Sequence, residues 1–389
     1  MMKILHTSDW HLGHTLYNYD RTKEQKDMII QMTDIIRREK PDVFLLCGDV
    51  YHTSQPSAAI QRLFTNSLVE MHNANPDMTI IITSGNHDSA SKHEIFSTPW
   101  KALNVHTIGV INRENIDEHI IFIPGKGYVI AVPYSHERNI PEGFFQRQLD
   151  SVREKNTDNL PVVMTAHTTV RGCDFTGHEH GTEYTVGGID SLDLEQLGEG
   201  YDYLALGHIH HEQFVHTGRH NVRYCGSPLA VSFDEQYPHS VSMIELSRHG
   251  DTPQCSKIEI NNKMPLVTLP SKGMATWEEA KDLLSHFPDD IPAYIRLNVE
   301  IDEFLPAEAN ADANALTNGK ACRFCLINAK RKKRDFNESR TLTIQEFQSE
   351  RPVDIARRYA EDMNMTFDEE MEQLFNETIR IMNDESDND

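Results

Sequence analysis

The chain has 389 residues, room for two or three domains at roughly 150 residues each, which excludes a peptide-sized or disulfide-stapled fold. Lys and Arg total 37 against 60 Asp and Glu, and this net charge of −23 argues against polyanion binding through a basic surface. The 21 histidines argue instead for metal or proton chemistry. Twenty of them lie between His6 and His249, so their use belongs to the first two thirds. Residues 361–389 hold 11 acids against Arg380 alone, a local −10 that leaves −13 for the rest. No apolar run approaches the ~20 residues of a bilayer span, and MMKILHTSDW lacks a secretory pattern, so a cytoplasmic protein without membrane contact is expected.

In chain order, residues 2–7, 43–47 and 79–83 are short Ile/Leu/Val/Thr runs of the kind covered on both faces, predicted as strands. Helical spacing over 22–38 and 56–72 separates them, with Pro56 expected in a first turn. This β-α-β-α-β unit implies a parallel sheet with ligands at its carboxyl ends. Strands follow at 118–123, 128–133, 161–166, 202–206, 213–217, 222–225 and 240–246, with a helix near 141–155. These later strands are close together and read as antiparallel, giving a mixed or doubled sheet. From about Lys263 a strand (LVTL), a helix over 276–287, the run 294–301, a polar stretch at 307–319 and a strand near 323–328 read as a smaller α+β domain. Two amphipathic helices are expected near 352–363 and 366–382.

The strand ends collect the chemistry. They read Ser8-Asp9-Trp10-His11, Gly48-Asp49, Gly85-Asn86-His87-Asp88, His167, and Gly207-His208-Ile209-His210. In extended backbone, residues i and i+2 point the same way, so Asp9/His11 and His208/His210 can each serve one site, with glycines before the ligands where the chain must turn. Two Asp, one Asn and four His make a mixed oxygen and nitrogen donor set without thiolate, suited to Mn²⁺, Fe²⁺ or Zn²⁺. Seven side chains exceed one ion's needs; two ions bridged by a shared carboxylate about 3.5–4 Å apart would use them all. Cys322 and Cys325 lack the two further ligands of a zinc site, and His178 and His180 lie in a Gly-rich loop that no strand carries to the sheet edge. The other histidines, His14, His93 and His239 among them, read as ordinary core or surface residues.

The ordered set D-x-H, G-D, G-N-H-D, H and G-H-x-H resembles the calcineurin-like metallophosphoesterase superfamily, and within it the nuclease subunits of SbcCD-type complexes. The likeness is carried by Thr7 to Gly13, Gly48 to His52 with Pro56-Ser57, Gly85 to Ser89, Tyr203 to His210, and Tyr224 to Pro228 with Ser232-Phe233. It implies an α/β fold, a two-sheet sandwich flanked by helices, over 1–263. A smaller α+β capping domain that contacts DNA would follow at 264–335, and C-terminal helices binding the ATPase partner at 336–389. It further implies two divalent ions, with Mn²⁺ expected, one held by Asp9, His11, Asp49 and His210 and the other by Asp49, Asn86, His167 and His208. His87 is implied as general acid, Asp88 as the group orienting its imidazole, and His52 as a residue positioning the DNA backbone. The activity implied is that of a DNA nuclease, a 3'-5' duplex exonuclease and single-strand or hairpin endonuclease. It would act as a homodimer with an SbcC-like SMC-type ABC ATPase in DNA repair and recombination. A small-molecule or protein phosphatase of the same superfamily is the alternative, although the Asp-Arg-Gly run that protein phosphatases carry after Gly-Asp is absent, His52-Thr53 standing near that place. The basic run 330–334 reads equally as a phosphate contact or a solvated linker, and helix 366–382 equally as a docking helix or local packing.

Overall fold

The computed structural model describes residues 1–95, 97–176, 191–215, 220–332, 352–362, 367–368, 371–376 and 378–379. His178, His180, Lys333-Arg334 and much of the 366–382 segment therefore lie outside the described residues. The elements are β1 (Met2–Thr7), α1 (Thr22–Glu39), β2 (Val43–Cys47), α2 (Ala58–Ala74), β3 (Thr79–Thr83), β4 (Val105–Ile108), β5 (Ile120–Ile123), β6 (Gly127–Ile130), α3 (Phe144–Lys155), β7 (Val162–His167), β8 (Tyr203–Gly207), β9 (Gln213–Phe214), β10 (Val222–Tyr224), β11 (Ser240–Leu246) and β12 (Gln254–Glu259). They continue with β13 (Leu266–Leu269), α4 (Trp277–Ser285), β14 (Tyr294–Ile301), α5 (Ala309–Thr317), β15 (Arg323–Arg331) and α6 (Pro352–Asp362).

Two six-stranded sheets form the body. The first runs β12-β11-β1-β2-β3-β4, parallel from β1 to β4 with β11 and β12 antiparallel; the second runs β9-β10-β8-β7-β6-β5. Of the later strands, expected to be antiparallel, β11 is so on both sides, yet β6, β7, β8 and β10 pair in parallel and only the outermost pairs of the second sheet reverse. Side-chain alternation explains the stacking. Ile4, Val43, Leu45 and Ile81 turn inward against Val129, Val163, Tyr203 and Ala205 of the other sheet. Leu5, Phe44, Leu46, Ile80 and Ile82 turn outward under α1 and α2. Helix α2 begins after Ser57, whose side chain accepts from Ile60 N at 3.3 Å, so Pro56 precedes the cap and is not in the first turn.

Two strands that no sequence pattern announces, β4 and β12, lie at the two edges of the first sheet. β4 alternates buried with half-buried positions and β12 is largely exposed, so neither shows a continuous apolar run. A third, all-parallel sheet, β13-β14-β15, buries Ile295, Leu297 and Val299 beneath α4 and α5. Its opposite face sets Tyr294 and Leu326 against Leu16 and Phe233 of the body. Tyr294 Oη also donates to Glu24 Oε1 at 2.8 Å. The polar stretch at 307–319 forms α5, whose small Ala309 and Ala313 allow close approach to the sheet. Cys322 and Cys325 fall on different faces, one in each of these two packing layers, and both are free thiols.

The chain divides into two compact units, Met1–Arg331 and Lys332–Asp389, which places the third sheet in the same unit as the sandwich. In the second unit α6 is helical over Pro352–Asp362, and Arg357 pairs with Glu372. Among the described residues no helix is long and apolar enough to cross a membrane.

One polar pair sits inside the sandwich: His6 Nδ1 lies 2.9 Å from Tyr203 Oη with both residues fully buried. Burial, helped by the Arg223 charge, lowers the His6 imidazole to about 3. The unfolded chain, with histidine near 6.5, thus binds a proton that the folded chain refuses, and His6 removes stability as pH falls from about 6.5 towards 3. His6→Gln is expected to flatten the pH dependence of the unfolding free energy from urea titrations there by about 1.4 kcal/mol per pH unit. An unchanged slope would contradict the burial of a neutral imidazole.

Candidate active site

The site lies where β1, β2 and β3 of one sheet and β7 and β8 of the other run out at their carboxyl ends. The loops after β1 and β2 are joined by backbone bonds, Asp9 N to Gly48 O (3.1 Å), His11 N to Asp49 O (3.0 Å) and Leu12 N to Val50 O (2.9 Å). Asp9, His11, Asp49 and His208 all adopt positive φ, at 54°, 43°, 49° and 95°. The side chains therefore converge through left-handed turns beyond the strand ends and not through the pleat of an extended run. Each such residue costs on the order of 1–2 kcal/mol, the kind of strain that packing holds in place at functional sites.

Of the three glycines before ligands, only Gly48 turns the chain at positive φ. All three make room. A Cβ on Gly48 would stand 2.1 Å from His167 Nδ1, on Gly85 2.0 Å from Asp49 Oδ1, and on Gly207 1.9 Å from Cys47 O.

The seven expected ligands come together in this space. Donor atoms of Asp9, His11 and His210 lie within 4.8 Å of one another, as do those of Asp9, Asp49 and His167. His11 Nε2 faces His210 Nε2 at 3.1 Å. Asn86 Oδ1 stands 3.0 Å from His167 Nε2 and 3.1 Å from His208 Nδ1, and Asp49 Oδ2 is 3.4 Å from His167 Nε2. Both Asp9 oxygens accept from His208 N at 3.1 Å, and Ser8 donates to Asp9.

His87 and His52 border the set. Their rings stack at 5.7 Å and 20°, and His87 lies 5.0 Å from the His11 ring. Asp88, in contrast, does not reach the His87 imidazole that its place in the sequence suggested it would orient. Its carboxylate turns back into the loops and accepts from Gly85 N (2.9 Å), Val50 N (3.1 Å) and Tyr51 N (3.0 Å), with His93 Nε2 3.5 Å away. The His87 imidazole is oriented instead by the His52 carbonyl, to which Nδ1 donates at 3.0 Å.

Electrostatics follow from burial. Burial pushes the Asp9 carboxyl up against the opposing pull of His167 and His210. Asp49 suffers the same burial, but His167, His11 and His87 outweigh it and hold the carboxyl well below the usual range. Burial lowers His11 and takes His208 to about 3. At His167 burial also lowers, yet Asp49 and Asp9 overcome it and lift the ring to about 9.

Residues 2–212 match the family described as calcineurin-like phosphoesterase. The chain belongs to the calcineurin-like phosphoesterase family. It is 30% identical over 306 residues to the SbcD component of the nuclease SbcCD from Rhodobacter capsulatus, covering 72% of this chain and 74% of that one. The Bacillus subtilis protein of the same name is 29% identical over 286 residues, covering 68% and 71%. The Escherichia coli K12 protein is 24% identical over an alignment of 420 positions that covers 98% of both chains.

A phosphoesterase of this family binds divalent metal, and these residues fit one. His167 Nδ1 donates to Cys47 O at 2.8 Å, so its Nε2, which faces two oxygens, needs either a proton or a cation there. His210 Nδ1 likewise donates to the buried Glu235 carboxylate at 3.2 Å, which leaves the Nε2 lone pair directed at the site. Glu235 was not legible as a site residue, nor were His14, whose ring meets His52 at 4.7 Å, and His93 and His239, which pair with Asp88 and Glu235. None of them lies in a motif.

Two outcomes follow from this electrostatics. In the metal-free chain His167 carries a proton at about pH 7.5, and an ion that takes its Nε2 lone pair must expel that proton. Affinity for divalent ions should then rise with pH, approaching one decade per unit up to about 9, with about one proton released at about pH 7.5. Calorimetry in two buffers of different ionisation enthalpy reads this directly, and zero release would contradict it. Asp88→Ala should lower stability by about 2–3 kcal/mol in urea unfolding, because three backbone donors lose their acceptor.

Proposed function

We propose that this chain is the metal-dependent nuclease subunit of an SbcCD-type complex, hydrolysing DNA phosphodiester bonds together with an SMC-type ABC ATPase. The observation that carries the reading is the half-buried imidazole of His87, held by the His52 carbonyl beside a set of two carboxylates, one carboxamide and four histidines, of which all but Asn86 and His208 are buried. Relatives named as the SbcD component of the nuclease SbcCD, one of which aligns along nearly the whole chain, support the substrate.

Two divalent ions, Mn²⁺ being among those the donors suit, would be held by Asp9, His11, Asp49 and His210 and by Asp49, Asn86, His167 and His208, supplying Lewis acidity and positive charge against the phosphodiester. Asp49, whose Oδ2 lies 3.8 Å from His11 Nε2 and 3.4 Å from His167 Nε2, would be the carboxylate common to both ligand groups. With His87 Nδ1–H on a carbonyl, proton exchange runs through Nε2, which would give its proton to the departing sugar oxygen as the P–O bond breaks and water, losing a proton to solvent, adds to phosphorus. His52 stacks behind His87 and meets the substrate backbone; its carbonyl keeps the acid aimed. The sheet of β13, β14 and β15 serves as a cap that contacts DNA, and the residues beyond about 336 dock on the ATPase. The active form is a homodimer within a heterotetramer.

His87→Ala should retain metal while losing about 10²–10⁴-fold in turnover on linear duplex DNA with Mn²⁺, the usual weight of general-acid help. Asp49→Ala should lose bound Mn²⁺ altogether. Full activity of His87→Ala would remove the acid from this role. Cleavage of p-nitrophenyl phosphate with no shortening of DNA would make the protein a phosphomonoesterase of the same family.

A further inference from the structure

His210 is gripped twice by one loop. Ser227 N donates to the His210 carbonyl at 3.0 Å, and Glu235 Oε1 accepts from the imidazole Nδ1 at 3.2 Å. The approach is tight enough that a Cβ on Gly226, at φ +77°, would stand 2.5 Å from His210 O. Glu235 itself is fixed within the loop. Its carboxylate accepts from Val231 N at 3.2 Å and from Ser227 Oγ at 3.3 Å, and the side chain is fully buried. A buried carboxylate committed to an imidazole Nδ1–H fixes both tautomer and ring orientation.

The same loop is held from its other side by one strand of the third sheet. Arg296 of β14 donates Nη1 to Asp234 Oδ1 at 2.7 Å and Nη2 to Phe233 O at 3.2 Å, with its guanidinium 5.3 Å over the Phe233 ring. Asp234 is the residue before Glu235. A second strut begins two residues earlier on the strand: Tyr294 Oη donates to Glu24 Oε1, Glu24 pairs with the buried Arg21 at 2.9 Å, and Arg21 donates to the Ala230 carbonyl. Two chains of polar contacts therefore run from β14 to the loop, and two from the loop to one ligand of the site.

We propose that the loop from Gly226 to His239 couples the third sheet to the metal centre: Glu235 is a positioning residue for His210, and Arg296, through Asp234, sets where Glu235 stands. Displacing the third sheet then loosens the centre's hold on its ion, so whatever macromolecule moves that sheet tunes metal occupancy. The inference rests on reading the site as a divalent-metal centre.

The test is Mn²⁺ affinity of the full chain by calorimetry. Glu235→Ala should weaken Mn²⁺ binding by about 10- to 100-fold, the usual effect of removing the partner of a ligating histidine. Glu235→Gln, which keeps an acceptor oxygen, should recover part of that loss. Arg296→Ala, which touches none of the seven ligands, should weaken binding by about 2- to 30-fold, the range of indirect coupling. In the Glu235→Ala background, where the bond to His210 is already gone, the Arg296→Ala effect should shrink, because both act through that one hydrogen bond; fully additive losses would overturn the route through Glu235. Wild-type affinity in Arg296→Ala would overturn the coupling while leaving the metal centre in place. Absence of Mn²⁺ binding by the unsubstituted chain would overturn the centre itself and the coupling with it. Thermal midpoints of each variant near that of the parent chain keep the losses assigned to the site.

Discussion

The carboxyl edge of this fold is governed by the burial of two carboxylates, Asp9 and Asp49, side by side. Like charges withdrawn from water raise each other's energy, and only positive charge or protons at close range make such a pair tolerable. The histidines that answer this need come from both sheets. Asp9, His11, Asp49 and Asn86 follow strands of the first, while His167, His208 and His210 belong to the second. Neither sheet holds a complete site, so the apolar layer between them, from Ile4 and Leu45 to Val163 and Tyr203, is also the foundation of the chemistry. The left-handed turns at Asp9, His11 and Asp49 persist because the two loops fix each other by backbone hydrogen bonds, and His208 is held by its amide donating to the Asp9 carboxylate, bonds that a relaxed conformation would break.

What could be read from the sequence follows the same physics. Strands covered on both faces announce themselves as apolar runs, so β1, β2, β3, β7 and β8 were legible, and with them the seven polar positions that meet beyond their ends. Edge strands have one neighbour and partial cover, and β4 and β12 left no such trace. The reason for convergence was also hidden: the i, i+2 rule assumes extended backbone, and these side chains sit just past its end in turns whose φ no pattern announces. Asp88 shows the same limit more sharply. Adjacent to His87 in sequence, it points the opposite way at the turn and is spent on three backbone donors. Glu235 stands 25 residues beyond His210 in a loop without a motif, and only the folded chain brings the two together.

The acidity of the chain is less of an obstacle to a polyanionic substrate than the total of −23 implies. Ten of those charges fall in residues 361–389, and Asp9 and Asp49 lie buried at the site, where two divalent ions would more than neutralise them. The remaining surface is still acidic. On the proposed reading, the chain's own contribution to DNA affinity would come mainly from the ions at the site, and because so acidic a surface neutralises few phosphates itself, that contribution would vary little with salt.

The crowding of imidazoles around His87 has its own logic. His11, His14, His52 and His87 lie with ring centroids 4.7 to 5.7 Å apart along the cluster, and two protonated rings at about 5 Å repel by roughly 3 kcal/mol at an effective dielectric constant near 20. The cluster cannot carry several protons at once. Burial settles which rings stay neutral: it lowers His11 well below its ordinary value and, with the charges of His52 and Arg21, takes His14 to about 2. The half-buried rings of the cluster are those of His52 and His87. Of these, His87 has the backbone carbonyl on its Nδ1–H and, at 5.0 Å, the shorter approach to the His11 ring, and it is this fixed orientation at the open side of the cluster on which the proposed role of His87 as an acid rests.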